Sequence, residues 1–410
     1  MEGNADIAGI VEDLGRRARA AAVELRRLDS ETKNAALAAI ADALAFARSA
    51  IEEANAGDVA AARAAGLAPA LIDRLALTPQ RFDAMVKGVR DVAALPDPVG
   101  ATIWERERPG GIAIRKVREP FGVIAVVFES RPNVFADTAS LCLKTSNAVI
   151  LRGGREAKGS NAAIAQAVRA GLRAAGLPDD AVQSVPVQDH EAVRELVRAV
   201  KYVDVAIPRG GEWLIRAMCE AALVPVLKHY KGVCHIYVDD KADLPMALSI
   251  LDNAKVQRPG ACNAVECLLV HERLAPVFMP MVEAWANGEG VRLHRESENP
   301  DWTREYLALE LNVKRVADVD AAIRHINEYS SHHSDAIVTN DTERAERFLR
   351  DVDSAAVYHN ASTRFTDGGE FGFGAEIGIS TDKLHARGPM GLEELCTYKY
   401  EIRGDGAIRQ

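Results

Sequence analysis

The sequence predicts an α/β fold in which parallel sheets are covered by helices. From about residue 121 to residue 360, short apolar runs of strand length alternate with helical segments through short turns, and this alternation favours parallel sheets. The chain has 410 residues, more than one hydrophobic core usually spans, so we expect two α/β domains. Looser alternation at residues 112–118 and 398–402 predicts two exposed strands, which could pair with each other or with a partner subunit.

The first hundred residues are predicted to be helical. Residues 5–65 are rich in Ala, Leu, Arg and Glu at helical spacing, which indicates two long helices, and Asp29-Ser30 is a start signal for the second. A further helical stretch covers residues 71–95 and contains the start signal Thr78-Pro79. The Pro- and Gly-rich residues 96–100 end it, so the α/β alternation is expected only after them.

Two blocks of alternating strands and helices follow. The first block has predicted strands at residues 122–128, 148–151, 202–207 and 224–227, and predicted helices at 134–144, 160–174 and up to 222. The second has predicted strands at 235–238, 265–270, 311–316, 336–339 and 355–358, and predicted helices at 244–254, 274–286, 318–329 and 343–349. Residues 361–391 are glycine-rich and predicted to form a loop.

The composition is typical of a globular enzyme, with 48% hydrophobic and 27% charged residues. The formal net charge of -9 argues against nucleic acids or anionic membranes as partners. The N-terminus lacks the features of a signal peptide, and the apolar runs are too short to span a bilayer. Six scattered cysteines without a CxxC pair fit neither a disulfide framework nor a zinc site. We therefore expect a cytoplasmic enzyme without a metal.

A cysteine in a loop directly before a predicted strand is the first candidate for catalysis. The loop reads QRPGACN over residues 257–263 and contains Cys262. A thiolate is a strong nucleophile at an acyl centre, and its thioester accepts hydride. Arg258 and Lys255 are near enough in the chain to favour the thiolate. A buried structural cysteine is the commoner role of a single Cys, although the Pro-Gly turn makes burial less natural. The residues alone leave both roles open.

An asparagine at a predicted strand-to-helix junction is the second candidate. Asn133 ends the stretch SRPN, which follows the strand at residues 122–128. An amide side chain there can donate a hydrogen bond to a developing oxyanion. Asn is also a favoured helix N-cap, which is the more frequent role at a helix start. Asn133 is therefore a candidate for either role.

Two glycine pairs follow predicted strands and precede predicted helices. Gly153-Gly154 lies between Arg152 and Arg155, and Gly210-Gly211 repeats the arrangement further along the chain. Glycines permit close backbone approach to a phosphate, and the arginines could hold its charge. The usual GxGxxG pattern after a strand is absent, so each pair alone could also be a tight turn.

The histidines and one lysine-rich segment give weaker signals. His229, His235, His332 and His333 lack the spacing of a helical metal site, so solvated or core histidines are expected. The segment KHYK at residues 228–231 is a basic cluster, expected at the surface, that could bind an anion.

Together these segments resemble the aldehyde dehydrogenase superfamily and, within it, the gamma-glutamyl phosphate reductases. The most specific stretches are ESRPN (129–133), SLCLKTSNAVILRGG (140–154), QRPGACNAVECLLVH (257–271), SDAIVT (334–339) and GAEIGISTDKLHARGPMGLEELCTYKY (374–400). The resemblance implies an aldehyde-dehydrogenase-like fold with three parts. These are a Rossmann-type NADP-binding domain (1–105 and 121–233), an α/β catalytic domain (234–385) and a small β oligomerisation arm (106–120 and 386–410).

The resemblance also implies a reaction. Cys262 would attack the gamma-carbonyl of L-glutamate 5-phosphate, expel phosphate and hold a thioester. Asn133 and the backbone N–H of Cys262 would form the oxyanion hole, and Glu305 would hold the nicotinamide ribose. Hydride from NADPH would then give L-glutamate 5-semialdehyde, the second step of proline biosynthesis from glutamate.

Two departures from hydrolytic aldehyde dehydrogenases bear on the chemistry. Where those enzymes have a general-base glutamate, this sequence has Lys228, a cation that cannot activate water while protonated. Where members that prefer NAD have a glutamate three residues after a lysine, this sequence has Arg155 after Arg152. A guanidinium pairs with a 2′-phosphate, which predicts NADP. By charge alone, Arg131, Arg258 and Lys228 are candidates for holding the substrate.

The resemblance further implies a homo-oligomer, either a dimer or a tetramer, and it is compatible with coupling to glutamate 5-kinase. Two other enzymes remain open as alternatives, a CoA-acylating and a hydrolytic aldehyde dehydrogenase. A catalytically silent binding or scaffolding subunit is the alternative outside the enzymes. The presence of Cys262 and Asn133 argues against it.

Overall fold

The chain contains two units, each with its own parallel sheet. The structure, a computed structural model, describes residues 6–409, apart from the side chain of Ala70. The first unit consists of the chain up to Leu227, Phe373–Gly378 and the chain from Met390 onward. The second unit consists of Lys228–Gly372 and Ile379–Pro389.

Helices occupy most of residues 7–94, and further along the chain helices alternate with strands. In the described part of the chain they are α1 (Ile7–Leu25), α2 (Ser30–Phe46), α3 (Arg48–Ala64), α4 (Pro69–Leu75), α5 (Pro79–Ala94), α6 (Asn133–Lys144), α7 (Lys158–Ala174), α8 (His190–Arg198), α9 (Glu212–Ala221), α10 (Leu244–Val256), α11 (Ala275–Glu289), α12 (Val319–Tyr329) and α13 (Thr342–Asp351). The Asp29 carboxylate accepts a hydrogen bond from the Thr32 backbone N–H, and the Thr78 hydroxyl accepts one from Arg81. Both N-caps confirm the predicted start signals.

Strands occupy much of the remaining chain. They are β1 (Thr102–Arg108), β2 (Ile112–Pro120), β3 (Val123–Phe128), β4 (Ala148–Gly153), β5 (Val182–Ser184), β6 (Val205–Arg209), β7 (Cys234–Val238), β8 (Val265–His271), β9 (Arg292–Arg295), β10 (Glu310–Val316), β11 (Ser334–Val338), β12 (Ala356–His359), β13 (Gly378–Ser380), β14 (Gly388–Met390) and β15 (Cys396–Gly404). Strands β3 to β12 form two parallel sheets, as the alternation predicted.

The parallel sheet of the first unit has the strand order β5-β4-β3-β6. Its central strand β3 is buried along its whole length, as is typical of a strand covered on both faces. Because the strands are parallel, the carboxyl ends of β3, β4 and β6 meet at one edge. Glu129, Gly154 and Gly210 follow these ends. This edge therefore carries the glycine pairs predicted to bind the cofactor.

Helices α2 and α7 of the first unit cross in close backbone contact. A β-carbon at Gly171 in α7 would lie 2.5 Å from the Cα atom of Ile40 in α2. Backbones can approach this closely only where one residue has no side chain. Gly171 therefore permits the crossing that holds the N-terminal helices against the α/β layer.

The parallel sheet of the second unit has six strands in the order β12-β11-β7-β8-β10-β9. Alternate residues of its strands point to opposite faces. One face packs with Phe278 and Leu251 from α11 and α10, and the other with Ile326 and Phe348 from α12 and α13. The sheet is thus covered by helices on both faces.

A three-stranded antiparallel sheet, β1-β2-β15, completes the first unit. Tyr400 of β15 pairs with Lys116 of β2, which confirms that the two predicted exposed strands pair with each other. Strand β1 was not predicted, because its apolar residues Ile103 and Trp104 are adjacent and give no alternating pattern. The pairing register between β1 and β2 shifts at the same point.

Some other boundaries differ from the predictions. Residues 5–65 contain three helices rather than two, because the chain bends by 64° between α2 and α3 at Ala47, where neither Pro nor Gly marks a break. The predicted strand at 224–227 is reduced to a single bridge between Val226 and Ala206. Helix α8 and the short strands β5 and β9 were not predicted.

Over residues 6–409, no single helix has both the length and the apolar character needed to cross a membrane. The bent pair of α2 and α3 meets those two criteria only when its helices are taken together.

Candidate active site

Cys262 lies in the loop that joins α10 to β8 in the second unit, as predicted. The next residue, Asn263, is buried and anchors this loop through its side-chain amide. The amide donates to the carbonyl oxygens of Arg364 at 3.2 Å and Thr366 at 3.0 Å. The Thr363 hydroxyl donates to the Asn263 carbonyl oxygen at 2.7 Å. These bonds fix the backbone beside Cys262, a residue that is itself only partly buried.

The segment before β7 runs directly against the Cys262 backbone. A β-carbon at Gly232 would lie 1.7 Å from the Cys262 carbonyl oxygen, so only glycine fits there. The Cys234 thiol donates to the same carbonyl oxygen at 3.3 Å. The Gly232 N–H donates to a carboxylate oxygen of Glu305 at 2.8 Å. Glu305 therefore belongs to the same cluster as the candidate nucleophile.

Two histidines flank the Cys262 thiol. Its Sγ atom and one ring nitrogen from each of His229 and His333 lie within 4.8 Å of one another. The two rings pack edge to face, with centroids 5.5 Å apart. Burial would raise the pKa of the Cys262 thiol, but the charges and hydrogen bonds of His333 and His229 outweigh burial and hold this pKa well below its ordinary value. The cluster therefore favours the reactive thiolate.

The two imidazole rings are held in different ways. His229 is partly exposed, and its Nδ1 atom lies 2.8 Å from the Ile379 carbonyl oxygen. Since a carbonyl oxygen only accepts hydrogen bonds, Nδ1 of His229 carries the hydrogen. His333 is fully buried, and its Nδ1 atom lies 2.8 Å from the Ser334 hydroxyl oxygen. Of the two rings, His229 is the more accessible.

The sequence did not single out these histidines, which were expected to be solvated or core residues. His333 does lie in the core, but both rings lie beside the nucleophile. His229, Cys262 and His333 each precede a strand, and these strands, β7, β8 and β11, are neighbours in the sheet. Their common position before predicted strands was a usable signal. The strand order that brings them together could not be read from the sequence.

The lysines near the nucleophile are paired with carboxylates. The Lys228 Nζ atom lies 2.9 and 3.0 Å from the two carboxylate oxygens of Asp382. Lys255 and Glu266 form a fully buried pair with a 2.8 Å contact. Burial lowers the pKa of Lys255 and raises that of Glu266 to about 7. Lys255 was expected to favour the thiolate, but its charge is compensated, and the two histidines lower the pKa of the thiol instead.

Two arginines bring positive charge to the nucleophile loop. Arg258 is exposed, as expected for a substrate-binding candidate. Arg364 was not predicted; its Nε atom donates to the Gln257 side chain at 2.9 Å, and its guanidinium contacts the Asn263 side-chain oxygen. Burial and the charge of Arg258 lower the pKa of Arg364, while the negative charge of Cys262 opposes them. Arg258, Arg364 and Cys262 therefore interact electrostatically.

In the first unit, Asn133 is the first residue of α6 and Pro132 occupies the N-cap position. The N-cap alternative for Asn133 is therefore wrong. Its side-chain amide instead donates to the Asp137 carboxylate at 2.8 Å, one turn further along the helix. Burial raises the pKa of Asp137 to about 6, against the lowering effects of this hydrogen bond and of Arg209. Arg131, two residues before Asn133, is partly exposed.

The first glycine pair follows β4, and its two flanking arginines differ. Arg152 is buried and donates to the carbonyl oxygens of Gly153 at 3.1 Å and Gln188 at 3.0 Å. Arg155 is exposed, at the turn that leads into α7. A β-carbon at Gly153 would lie 2.0 Å from the Asn161 amide nitrogen. Arg152 thus supports the turn, while Arg155 is available to a ligand.

Two carboxylates that no sequence motif indicated lie at the same sheet edge. Glu129 follows β3 and accepts a hydrogen bond from the Gly211 N–H at 2.9 Å, at the start of α9. Glu156 accepts from the Ser130 N–H at 2.6 Å and from the Ser130 hydroxyl at 2.7 Å. These bonds tie together the three turns that follow β3, β4 and β6.

Comparisons with known proteins agree with this architecture. The aldehyde dehydrogenase family model matches residues 6–288. A gamma-glutamyl phosphate reductase from Rhodospirillum rubrum is 50% identical over 416 aligned residues, which cover 98% of this chain and 97% of the relative. The crystal structure of a gamma-glutamyl phosphate reductase from Thermotoga maritima matches with a TM-score of 0.95 and 44% identity over 98% of this chain and 100% of that chain. The crystal structure of a gamma-glutamyl phosphate reductase from Saccharomyces cerevisiae matches with a TM-score of 0.56 and 34% sequence identity, over 98% of each chain.

These matches extend over nearly the whole chain and confirm the predicted aldehyde-dehydrogenase-like fold. Enzymes of this kind are oxidoreductases that use a nicotinamide cofactor. The chain belongs to the aldehyde dehydrogenase family and, within it, to the gamma-glutamyl phosphate reductases.

Proposed function

We propose that this protein reduces L-glutamate 5-phosphate to L-glutamate 5-semialdehyde and phosphate with NADPH, the second step of proline biosynthesis from glutamate. The relatives that share 50% and 44% of its residues carry the name of this activity. The observation that carries the chemistry is the position of the Cys262 thiol beside two imidazoles, which hold its pKa low. A thiolate at neutral pH is the nucleophile that an acyl phosphate requires.

In the proposed reaction the Cys262 thiolate attacks the gamma-carbonyl and expels phosphate, which leaves a thioester. The Asn133 side-chain amide and the Cys262 backbone N–H are the proposed donors to the oxyanion. The hydrogen bond from Asn133 to Asp137 supports this role, because it holds the amide in one orientation at the start of α6. Bound NADPH supplies the hydride that reduces the thioester to the aldehyde.

The surroundings of Lys228 favour reduction over hydrolysis. A hydrolytic enzyme needs a general base at this position, whereas Lys228 is a cation paired with Asp382. The thioester is therefore not exposed to water activated by residue 228. A CoA-acylating aldehyde dehydrogenase also lacks this base, and it would be recognised by turnover that depends on CoA rather than on phosphate.

We assign the cofactor site to the glycine pairs after β4 and β6, in the proposed domain of residues 1–105 and 121–233. These turns follow the carboxyl ends of parallel strands, where α/β sheets usually bind ligands, and Arg155 is exposed beside the first pair. Arg155 is the proposed partner of the 2′-phosphate that distinguishes NADPH from NADH, with Arg152 holding the turn. Gly210 and Gly211 complete the proposed phosphate contacts, and Glu305 is the proposed partner of the nicotinamide ribose.

The substrate has a phosphate and a carboxylate, and we propose that arginines bind them. Arg258 and Arg364 both act electrostatically on Cys262 or its neighbours, which makes them the best-supported candidates within the catalytic domain of residues 234–385. Arg131, in the proposed cofactor domain, remains a further candidate. Lys228 is less suited than predicted, because Asp382 compensates its charge.

We also propose that the antiparallel sheet mediates a homo-oligomer, either a dimer or a tetramer. Residues 106–120 and 386–410 were assigned to this arm, and Tyr398, Tyr400 and Ile402 of β15 expose roughly half or more of their surface. Exposed apolar side chains of this kind are typical of an interface. Coupling to glutamate 5-kinase and action in the cytoplasm belong to the same proposal, and the six free cysteines fit a reducing compartment.

The reverse reaction tests the proposed function, since glutamyl phosphate is labile. Purified protein would be given glutamate 5-semialdehyde and NADP, with and without phosphate, beside Cys262→Ala and a control at Cys219, the other cysteine that is not buried among the described residues. We expect steady NADPH formation that requires phosphate and is lost in Cys262→Ala but kept in Cys219→Ala. Turnover without phosphate would instead favour the hydrolytic alternative.

A further inference from the structure

The proposed reaction leaves one proton unassigned. When a thiolate attacks an acyl phosphate, the departing phosphate oxygen takes up the electron pair of the broken C–O bond. The phosphate leaves readily only if this oxygen gains a proton at the same time. The proton must come from an acidic group close to both the sulfur atom and the departing oxygen.

Few groups in the described residues meet this requirement. One ring nitrogen from each of His229 and His333 lies within 4.8 Å of the Cys262 Sγ atom and of the other. Lys228, in the same segment as His229, is paired with Asp382, and the Lys231 Nζ atom donates to the Thr303 carbonyl oxygen at 2.6 Å. The two imidazoles are therefore the strongest candidates.

The hydrogen bonds of the two rings separate their roles. His333 is fully buried, and its Nδ1 atom contacts Ser334, whose hydroxyl is linked through Thr366 to the Tyr358 hydroxyl. Burial keeps this ring out of contact with solvent. His229 is partly exposed and has the hydrogen of Nδ1 committed to the Ile379 carbonyl oxygen, so that its Nε2 atom is the one that gains and loses a proton.

We infer that His229 is the general acid that protonates the departing phosphate, whereas His333 is a positioning residue that stabilises the thiolate. This inference rests on the proposed function and deepens it. As the bond from Cys262 Sγ to the gamma-carbonyl carbon forms, the carbon–oxygen bond to phosphate breaks. The oxygen takes the proton from His229 Nε2, which leaves a thioester, hydrogen phosphate and a neutral His229.

The rest of the cycle restores this proton. Hydride reduction of the thioester gives an oxyanion, and its collapse to the aldehyde expels the Cys262 thiolate without any further proton. His229 then takes one proton from water. The cycle consumes one proton for each NADPH, as the overall reaction requires. Cys262 and Glu305 both interact electrostatically with His229.

The reverse reaction separates this role from thiolate formation. With glutamate 5-semialdehyde and NADP, hydride transfer comes first and gives a burst of one NADPH for each Cys262, whether or not phosphate is present. Phosphate must then attack the thioester, and His229 acts as the base that removes its proton. We expect His229→Asn to keep the burst amplitude and to lose steady turnover by about 10²-fold or more.

His333→Asn should behave differently, because it removes the partner of the thiolate, so its burst should be slowed. His332→Asn is the matched control, since its ring contacts the Asp353 carbonyl oxygen and lies outside the cluster. The bursts would be compared from neutral pH up to a pH high enough to ionise Cys262, where the burst of His333→Asn should recover, with circular dichroism as a check of folding. His229→Gln would replace His229→Asn if the latter fails to fold.

Two results would overturn the inference. The first is full steady turnover in His229→Asn, and the second is loss of its burst together with turnover, which would assign His229 to thiolate formation alone. A wild-type protein without any burst would instead contradict the proposed function. Partial rescue of His229→Asn turnover by added imidazole would support the general-acid role.

Discussion

A β-carbon at Gly232 would lie 1.7 Å from the carbonyl oxygen of Cys262, so the backbone before β7 and the nucleophile loop are in direct contact. The Gly232 N–H also holds the Glu305 carboxylate. This one residue therefore fixes the distance between the nucleophile and a carboxylate that acts on it. Its size has consequences for both stability and activity.

Replacing Gly232 by alanine should displace the nucleophile loop, because the atoms that a methyl group would meet belong to the backbone and cannot rotate away. We expect a loss of about 1–3 kcal/mol in the free energy of unfolding and slower alkylation of Cys262. Urea denaturation and iodoacetamide kinetics measure these effects. Gly288→Ala, at an exposed helical position with open space, is the control and should be neutral or stabilising. Equal behaviour of the two variants would contradict the contact.

The reactivity of Cys262 should reach its plateau at an unusually low pH. A thiol ionises as the pH rises through its pKa, and the pKa of Cys262 is held well below its ordinary value, chiefly by His333. Alkylation by iodoacetamide as a function of pH should therefore have its midpoint far below that of a free thiol. His333→Asn should move the midpoint upward. A midpoint that stays in place in this variant would show that the imidazole does not stabilise the thiolate.

Asp137 should make folding depend on pH in a direction opposite to most carboxylates. Burial raises its pKa from 3.8 to about 6, so the folded state binds a proton that the unfolded state has lost between these values. Its contribution to stability is fully present below pH 4 and is lost as the pH rises through about 6. Asp137→Asn should therefore stabilise the protein at pH 8 more than at pH 4 in thermal unfolding.

In Asp137→Asn the new amide side chain keeps an oxygen that accepts the hydrogen bond from Asn133. Enzyme activity should therefore be reduced rather than abolished. Asp42→Asn, which removes an exposed carboxylate, is the control and should change stability little at either pH. An Asp137→Asn variant that is less stable than the wild type at pH 8 would refute this account of Asp137.

Cofactor preference should depend on Arg155. A guanidinium bonded to a 2′-phosphate contributes about 1.5–3 kcal/mol, so Arg155→Glu should weaken NADPH binding by roughly 10- to 100-fold. NADH binding should change much less, because NADH lacks this phosphate. Fluorescence titration with both cofactors measures the difference. Arg63→Glu is a control on an exposed helical site, and equal losses for NADPH and NADH in Arg155→Glu would refute the assignment.

Assembly should depend on the outer face of β15. Ile402 is 62% exposed in the antiparallel sheet, and a lysine there would place a charge in the proposed interface. Ile402→Lys should therefore shift the protein to a smaller species in analytical ultracentrifugation. Ile408→Lys is the matched control, because Ile408 is also exposed but lies beyond the strand. An unchanged species in Ile402→Lys would place the interface elsewhere.

The sequence predicted local structure better than it predicted the site. Apolar runs such as β3 and β8 were recognisable because buried parallel strands need continuous hydrophobic segments, and the loop before β8 identified Cys262. The roles of His229 and His333 depend on the order of strands β7, β8 and β11, which no local pattern encodes. No local pattern encodes the pairing of Lys228 with Asp382 either, because these residues lie 154 positions apart in the sequence.

Two misread elements have local causes. Strand β1 was not predicted because Ile103 and Trp104 are adjacent. The register shift beside them removes the alternation of apolar and polar residues on which strand prediction depends. The break between α2 and α3 falls in an alanine-rich stretch that has neither Pro nor Gly beside the break. In that stretch tertiary packing, rather than propensity, decides where the helix ends.

The central claim is that Cys262 holds the glutamyl group as a thioester. The most direct measurement is mass spectrometry of protein incubated with glutamate 5-semialdehyde and NADP without phosphate, then quenched in acid and digested. We predict that the peptide containing Cys262 gains the mass of one glutamyl group, and that phosphate added before the quench removes it. NADPH formation without any modification of that peptide, or with the glutamyl group on another residue, would contradict the account.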